Sequence, residues 1–213
     1  MSARERQRIF DLYHKQYVEL NFERLELWKA VRQHLQSENV LYVGSSIHIT
    51  PSFVFQNVTY VDPGTGARDF FQDLPAVKDL IRSQAIYRSD PYVAFLPDDI
   101  RTGTQLRPDS YELVITGYSG AIGRYCWPYL RANGHYLSNN HEGDVVDLLL
   151  LPDAQYTGYF AKAHRQYAFH ATTDVSSILP PPVSYKGHRT GQISYLENER
   201  YYLVKKRAGV ARN

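Results

Sequence analysis

The chain of 213 residues contains a single cysteine, Cys126, so an intrachain disulfide is excluded. No apolar run approaches the roughly 18–20 residues of a membrane-spanning helix; the longest, 145–151, is interrupted by Asp147. The first eight residues, Met-Ser-Ala-Arg-Glu-Arg-Gln-Arg, lack the apolar core of a secretory leader, so a cytoplasmic location is expected and no membrane partner. A net charge of +2 leaves no broad basic face, so nucleic acid is not an expected partner. The basic ends (Arg4, Arg6 and Arg8; Lys205, Lys206 and Arg207) read as solvated tails. Neither Cys-x-x-Cys nor His-x-x-x-His occurs, which leaves no basis for a metal site. Gly-x-Gly-x-x-Gly is missing after the first strand-like run, which argues against a nicotinamide enzyme. Repeats, low-complexity tracts and linkers are also lacking, so a single domain over 1–213 is expected.

What stands out instead is tyrosine, at 18 copies, a residue that supplies flat apolar area with a polar tip. Residues 4–36 carry apolar positions at mixed spacings of three and four, which predicts one long helix or two with a break near Asn21. This N-terminal helical segment takes up 1–37. Then the period changes. Short apolar runs at 39–44, 57–62, 91–96, 111–117 and 135–139 predict five strands. Between them, 64–83 predicts a helix kinked or divided by Pro75, and 121–132 and 143–151 predict two more. Strands alternating with helices imply an α/β fold with a mostly parallel sheet covered on both faces. Towards the end, 156–160 and 199–204 are strand-like, and 161–198 between them predicts a long insertion, either a lid or a packed surface excursion.

In such a sheet ligands bind at the carboxyl ends of the strands. Those ends are Gly44-Ser45-Ser46, Asp62, Asp98-Asp99, Thr116-Gly117-Tyr118 and Asn139-Asn140-His141. A glycine closes the first strand and lets a ligand approach the backbone. An acid closes the second, and an ionised carboxylate can accept both hydroxyls of a ribose. Val40-Leu-Tyr-Val-Gly44-Ser-Ser, Val58-Thr-Tyr-Val-Asp62, Glu112-Leu-Val-Ile-Thr-Gly-Tyr118 and Tyr129-Leu-Arg-Ala-Asn-Gly134-His-Tyr-Leu-Ser resemble, in order, motifs of the class I S-adenosylmethionine-dependent methyltransferases. The resemblance implies a Rossmann-like three-layer sandwich in which the run near Tyr201 is an antiparallel C-terminal strand. It implies S-adenosylmethionine as cofactor, held by Gly44, Ser45, Ser46, Asp62, Asp98, Asp99, Thr116 and Gly117, and a small-molecule methyl acceptor near Tyr118 and His141. The chain departs from the family where Tyr42 replaces an acid on the first strand and where Ser46 and His48 replace later glycines. It also has Thr116-Gly-Tyr-Ser119 in place of an Asn/Asp-Pro-Pro-aromatic signature.

Plainer roles compete at several positions. His141 can be a solvated loop histidine, Tyr118 a wall of the core, and Asp62, Asp98 and Asp99 turn-formers. Two other functions also compete. A methyltransferase-like scaffold with an altered loop can serve as a catalytically inactive binding protein with a protein partner. Gly117-Tyr-Ser119-Gly-Ala, between a strand and a helix, also has the context of a nucleophile elbow. A serine hydrolase would then use Ser119 with a later acid (Asp144, Asp147, Asp153 or Asp174) and a later histidine (His164, His170 or His188).

Overall fold

The computed structural model describes residues 3–164, 166–180 and 199–208. Five strands run parallel: β1 (Asn39–Val43), β2 (Asn57–Val61), β3 (Tyr92–Leu96), β4 (Tyr111–Ile115) and β5 (Leu130–Ser138). Strand β8 (Arg200–Lys206) enters antiparallel between β5 and β6 (Ala154–Ala163). Strand β7 (Gln166–Ala171) forms a hairpin with β6 at that edge, giving the order β3-β2-β1-β4-β5-β8-β6-β7. The antiparallel placement of the run near Tyr201 is as expected.

Both faces of the parallel half are covered, which is why its strands are continuous apolar runs. Side chains alternate along β1, so Val40 and Tyr42 join one core while Leu41 and Val43 join the other. The first core packs α1 (Ala3–Tyr13), α2 (Leu25–Leu35), α3 (Thr65–Phe71) and α4 (Leu74–Gln84) against the sheet, with Ile9, Trp28, Phe70 and Ile81 buried. The second packs α5 (Gly123–Cys126) and α6 (Asp144–Leu148), through Ile122, Val145 and Leu148. No helix among the described residues is long and apolar enough to cross a membrane.

The N-terminal break falls where expected. After α1 a widened turn (His14–Val18) ends in left-handed Asn21 (φ 56°) and Arg24 (φ 54°), and α2 starts afresh. Pro75 divides the next helical stretch. It lies in the first turn of α4, where a missing N–H is tolerated, and Asp73 accepts from the Ala76 N–H at 3.1 Å.

Two expectations change. The helix expected at 121–132 is cut to α5 and a tight turn (Trp127–Tyr129), because Pro128 cannot continue an α-helix. Strand β5 therefore starts at Leu130, and Asn133-Gly134 forms a bulge within it. Asn133 is left-handed (φ 63°), and the register with β4 jumps from Tyr111↔Leu130 to Leu113↔His135. The insertion expected at 161–198 is, in its first part, the end of β6 and all of β7, ordinary sheet; its 181–198 portion lies outside the described residues.

Candidate functional site

Strand order reverses between β1 and β4, so the loops leaving these two strands diverge and open a crevice at their carboxyl ends. Gly44, left-handed at φ 69°, donates its N–H to the Val61 carbonyl at 2.8 Å, and Ser46 (φ 51°) is left-handed too. The loop is pinned from the side by Asp62, which is only 9% exposed. Its carboxylate accepts from the Ser46 N–H at 2.7 Å and the Gly64 N–H at 2.8 Å. The loop after β4 packs on the same spot. A Cβ at position 44 would lie 2.0 Å from the Ser119 Cβ, so only glycine fits there. The Ser119 hydroxyl donates to the Val43 carbonyl at 3.3 Å.

Beside Gly44 lies a cavity of about 190 Å³. Gly44, Ser45 and Ser46 line one side, and Thr116 and Gly117 line another. The remaining walls are aromatic: Tyr17 and Trp28 from the N-terminal helices, Tyr42, Tyr118 and Tyr201, and the His48 imidazole. Tyr17 stacks on His48 with centroids 4.7 Å apart, and burial pushes its phenol up to about 12. The His48 Nε2 bonds the Glu23 carbonyl at 3.1 Å, so it carries the proton, and Nδ1 accepts from the Tyr42 hydroxyl at 3.0 Å. Burial, together with the Arg24 charge, lowers His48 to about 3, so the ring is neutral. His48 therefore forms part of the cavity wall.

Among the described residues one cation reaches the cavity, Arg24. Its Nε donates to Glu199 at 2.8 Å and its Nη2 to the other carboxylate oxygen at 3.2 Å; the two side chains are 7% and 3% exposed. Burial opposes the Arg24 charge, but the Glu199 carboxylate outweighs it and holds the guanidinium well above its usual value. The Tyr118 hydroxyl sits between them, accepting from Arg24 Nη2 at 3.3 Å and donating to Glu199. Underneath, the buried Asp144 carboxyl ties the loop ends together. It accepts from Thr116 at 3.0 Å, Tyr136 at 2.5 Å and Ser138 at 2.9 Å, and burial raises it.

Of the residues marked by sequence, Gly44, Ser45, Ser46, Thr116, Gly117 and Tyr118 converge on the cavity. Asp62 touches it only through the Ser46 backbone. Asp98 and Asp99 follow β3 and do not line it. The Asp99 carboxylate is taken up by Arg101 at 2.6 and 2.9 Å, which holds it down at about 2. His141 is not a solvated loop histidine. Its side chain is 2% exposed and packs edge-on against Tyr118, centroids 4.9 Å apart, behind the cavity wall.

Ser119 does not meet a histidine among the described residues. His170 stacks on Tyr159, His164 lies in the β6–β7 turn, and His188 is outside the described residues. The described residues also hold no cluster of His, Cys, Asp or Glu fit for a metal ion.

Sequence reasoning missed Tyr17, Arg24, Trp28, Glu199 and Tyr201. Arg24 and Glu199 are 175 positions apart, and no local spacing signals that pairing. Tyrosine abundance was the one available hint to the aromatic walls.

No protein-family model and no curated protein matches the chain. Solved structures do share its fold. An S-adenosylmethionine-dependent methyltransferase from Thermotoga maritima is similar with a TM-score of 0.51 at 9% identity, over 97% of this chain and 100% of that one. A protein assigned to the O-methyltransferases, from Klebsiella pneumoniae, gives 0.51 at 9% identity, over 98% and 92%. One assigned to the S-adenosylmethionine-dependent methyltransferases, from Methanococcus maripaludis, gives 0.50 at 9% identity, over 96% and 92%. The chain thus has the Rossmann-like fold of these methyltransferases, and at such identities the likeness is one of fold.

Proposed function

We propose that the protein is an S-adenosylmethionine-dependent methyltransferase acting on a small-molecule acceptor, with both ligands meeting at the β1–β4 crevice. The observation that carries this reading is the convergence of the two loops on a cavity at the point where strand order reverses. The residues present fit the cofactor by the chemistry of their donor set. Gly44 offers bare backbone, and each Asp62 oxygen, engaged by one N–H, keeps a further lone pair for a ribose hydroxyl. At about 190 Å³ the cavity is below the usual range of roughly 300–1,000 Å³ for ligand sites. Seating a whole cofactor therefore requires the Ser119 loop to lift off Gly44. Gly117 and Gly120 flank that loop, and a Cβ at either would meet nothing within 4 Å.

When bound, the cofactor supplies an activated methyl group on a sulfonium, so the protein's task is to align the acceptor and exclude water. Gly44 and Ser45 hold the floor, Thr116 and Gly117 the opposite side, and the aromatic walls orient the acceptor. Tyr118 takes a proton from an acceptor that must lose one while passing its own to Glu199, with His141 keeping the Tyr118 ring in place.

Calorimetric titration with S-adenosylmethionine and S-adenosylhomocysteine tests the reading. Micromolar binding is expected, weakened about tenfold or more in Asp62→Ala. The absence of both heat and thermal shift with either ligand would sink it. One observation favours a second reading, an inactive binding scaffold: Ser119 already occupies the space over Gly44. If neither the wild type nor Ser119→Gly binds either ligand, the scaffold reading replaces the enzyme.

A further inference from the structure

The sheet ends in two edges, and they are protected differently. Strand β3 starts after Asp90-Pro91 and runs into Asp98-Asp99, a proline and charges of the kind that keep an edge from pairing. At the other edge β7, Gln-Tyr-Ala-Phe-His-Ala, holds no proline and no Lys, Arg, Asp or Glu. Its pairing with β6 runs in unbroken register from Ala163↔Gln166 to Gly158↔Ala171, so no bulge bends this edge away.

Two observations fix which β7 residues turn their backbone towards β6. The Thr172 N–H donates to the Thr157 carbonyl at 3.2 Å, and a Cβ on Gly158 would come within 2.2 Å of the His170 carbonyl oxygen. Thr172 and His170 therefore face β6. By the alternation of an antiparallel ladder, Tyr167, Phe169 and Ala171 point their N–H and C=O outward, where no further strand lies among the described residues. The edge is also held extended before anything pairs with it. Tyr167 and Phe169 pack against the first core, and the His34 ring of α2 stacks on Phe169 with centroids 3.9 Å apart. A strand already ordered loses little entropy on pairing.

This edge is complementary to itself. Turned about a twofold axis at Ala168, β7 meets an antiparallel copy in which Tyr167 lies opposite Phe169 of the second copy, and Phe169 opposite its Tyr167. Both residues point their backbone groups outward, so these two pairs exchange four N–H···O=C bonds, and aromatic cross-strand pairs are favourable. Ala168, exposed in the single chain, then faces Ala168 of the second copy. That is a position without backbone bonds, where strands approach to about 4.5 Å between Cα atoms and a methyl group fits. Gln166 falls opposite His170 of the second copy, so no like charges meet. A foreign strand would need a matching sequence, whereas a second copy supplies the match by symmetry.

We infer that the β7 edge is a homodimer interface, at which two copies pair antiparallel about Ala168 and join their eight-stranded sheets into one. The inference is independent of the methyltransferase reading. One strand edge is a small contact beside the standard interface of about 1,600 Å², so a dissociation constant of about 10–100 µM is expected.

Sedimentation equilibrium of the full chain tests this over roughly 5–500 µM, a range that brackets that constant. The average mass should rise from that of one chain towards that of two. Ala168→Lys and Ala168→Glu each set like charges face to face and should be monomeric throughout, while their equimolar mixture should regain the dimer. A second pair of variants does not depend on those charges. Cys126 is the one natural cysteine and is buried, so an added thiol reports cleanly. Under diamide oxidation Ala168→Cys should give a disulfide-linked dimer, because the two Cβ atoms meet, and Gln166→Cys should not, because its copies lie several residues apart. If the charged variants fail to fold, the wild-type mass and the cysteine pair decide. A wild type that stays monomeric across the range would overturn the inference. So would a dimer that survives both charged variants, or equal cross-linking at positions 166 and 168.

Discussion

Acidification should destabilise this protein through one ring, His48. In the fold its imidazole is neutral, with Nε2–H on the Glu23 carbonyl and Nδ1 accepting from Tyr42. A proton on Nδ1 would break the Tyr42 bond and place a charge in the core, near Arg24. Burial and that cation depress the ring from 6.5 to about 3. In the unfolded chain the same ring titrates near 6.5. Above pH 6.5 neither state is protonated, so the full stabilisation is present. Below it the unfolded chain binds a proton the folded chain refuses, and stability falls by about 1.4 kcal/mol per pH unit down towards pH 3.

Between pH 6.5 and pH 4.5 the loss is therefore about 2 kcal/mol from this residue, a substantial share of the roughly 5–15 kcal/mol typical of a domain. His135, lowered to about 4 by burial with Lys205 and His34 nearby, adds loss in the same direction. Asp144, raised by burial, acts oppositely: its penalty grows as pH rises, so it offsets part of the acid loss. Comparison with His48→Gln isolates the single term. Urea unfolding at half-unit pH steps should show the wild type losing stability relative to the variant below pH 6.5 and running parallel to it above. Parallel curves throughout the acid range would refute the argument, because they would mean that His48 charges in place without penalty.

The other predictions concern the walls and floor of the site. Gly44→Ala combines a left-handed φ with a Cβ 2.0 Å from the Ser119 Cβ, and should cost about 2 kcal/mol or more in chemical denaturation. Ser119→Gly should restore part of that loss, and Ser119→Ala, which keeps the Cβ, should restore none; equal rescue by both would disprove the contact. Arg24→Met or Glu199→Gln alone strands a buried charge and should cost about 3–5 kcal/mol, whereas the double variant should cost clearly less than the two added together. Asp144→Ala removes the acceptor shared by Thr116, Tyr136 and Ser138 and should destabilise by about 3 kcal/mol; a loss under about 0.5 kcal/mol would show that the buried hydroxyls find other partners.

Much of this architecture was legible from local sequence, because strands and helices bury their faces with fixed periods. The runs at 40–43 and 58–61 are apolar on both faces, and that alone announces interior parallel strands. The break near Asn21 and the division at Pro75 follow from backbone rules that act over a few residues. Gly44 and Asp62 were legible for the same reason, as the residues that end their strands. Where local rules competed, the sequence misled. Residues 121–132 have helical spacing, yet Pro128 ends the helix early and the β4 edge recruits the residues from Leu130 onward as strand.

The composition of the site, by contrast, belongs to the tertiary structure. Arg24, Trp28 and Tyr201 reach one cavity, and Glu199 reaches Arg24 behind it, only because α2 crosses the sheet face and β8 inserts between β5 and β6. Which acid holds the loop and which merely makes a turn was likewise decided in three dimensions, since Asp62 meets the Ser46 N–H across the β1–β2 gap while Asp99 finds Arg101 two residues on. Local sequence carries periodicity and strand ends because these depend on neighbours along the chain. It does not carry charge pairing or the closure of a cavity, because those depend on which distant segments desolvate one another when the sheet assembles.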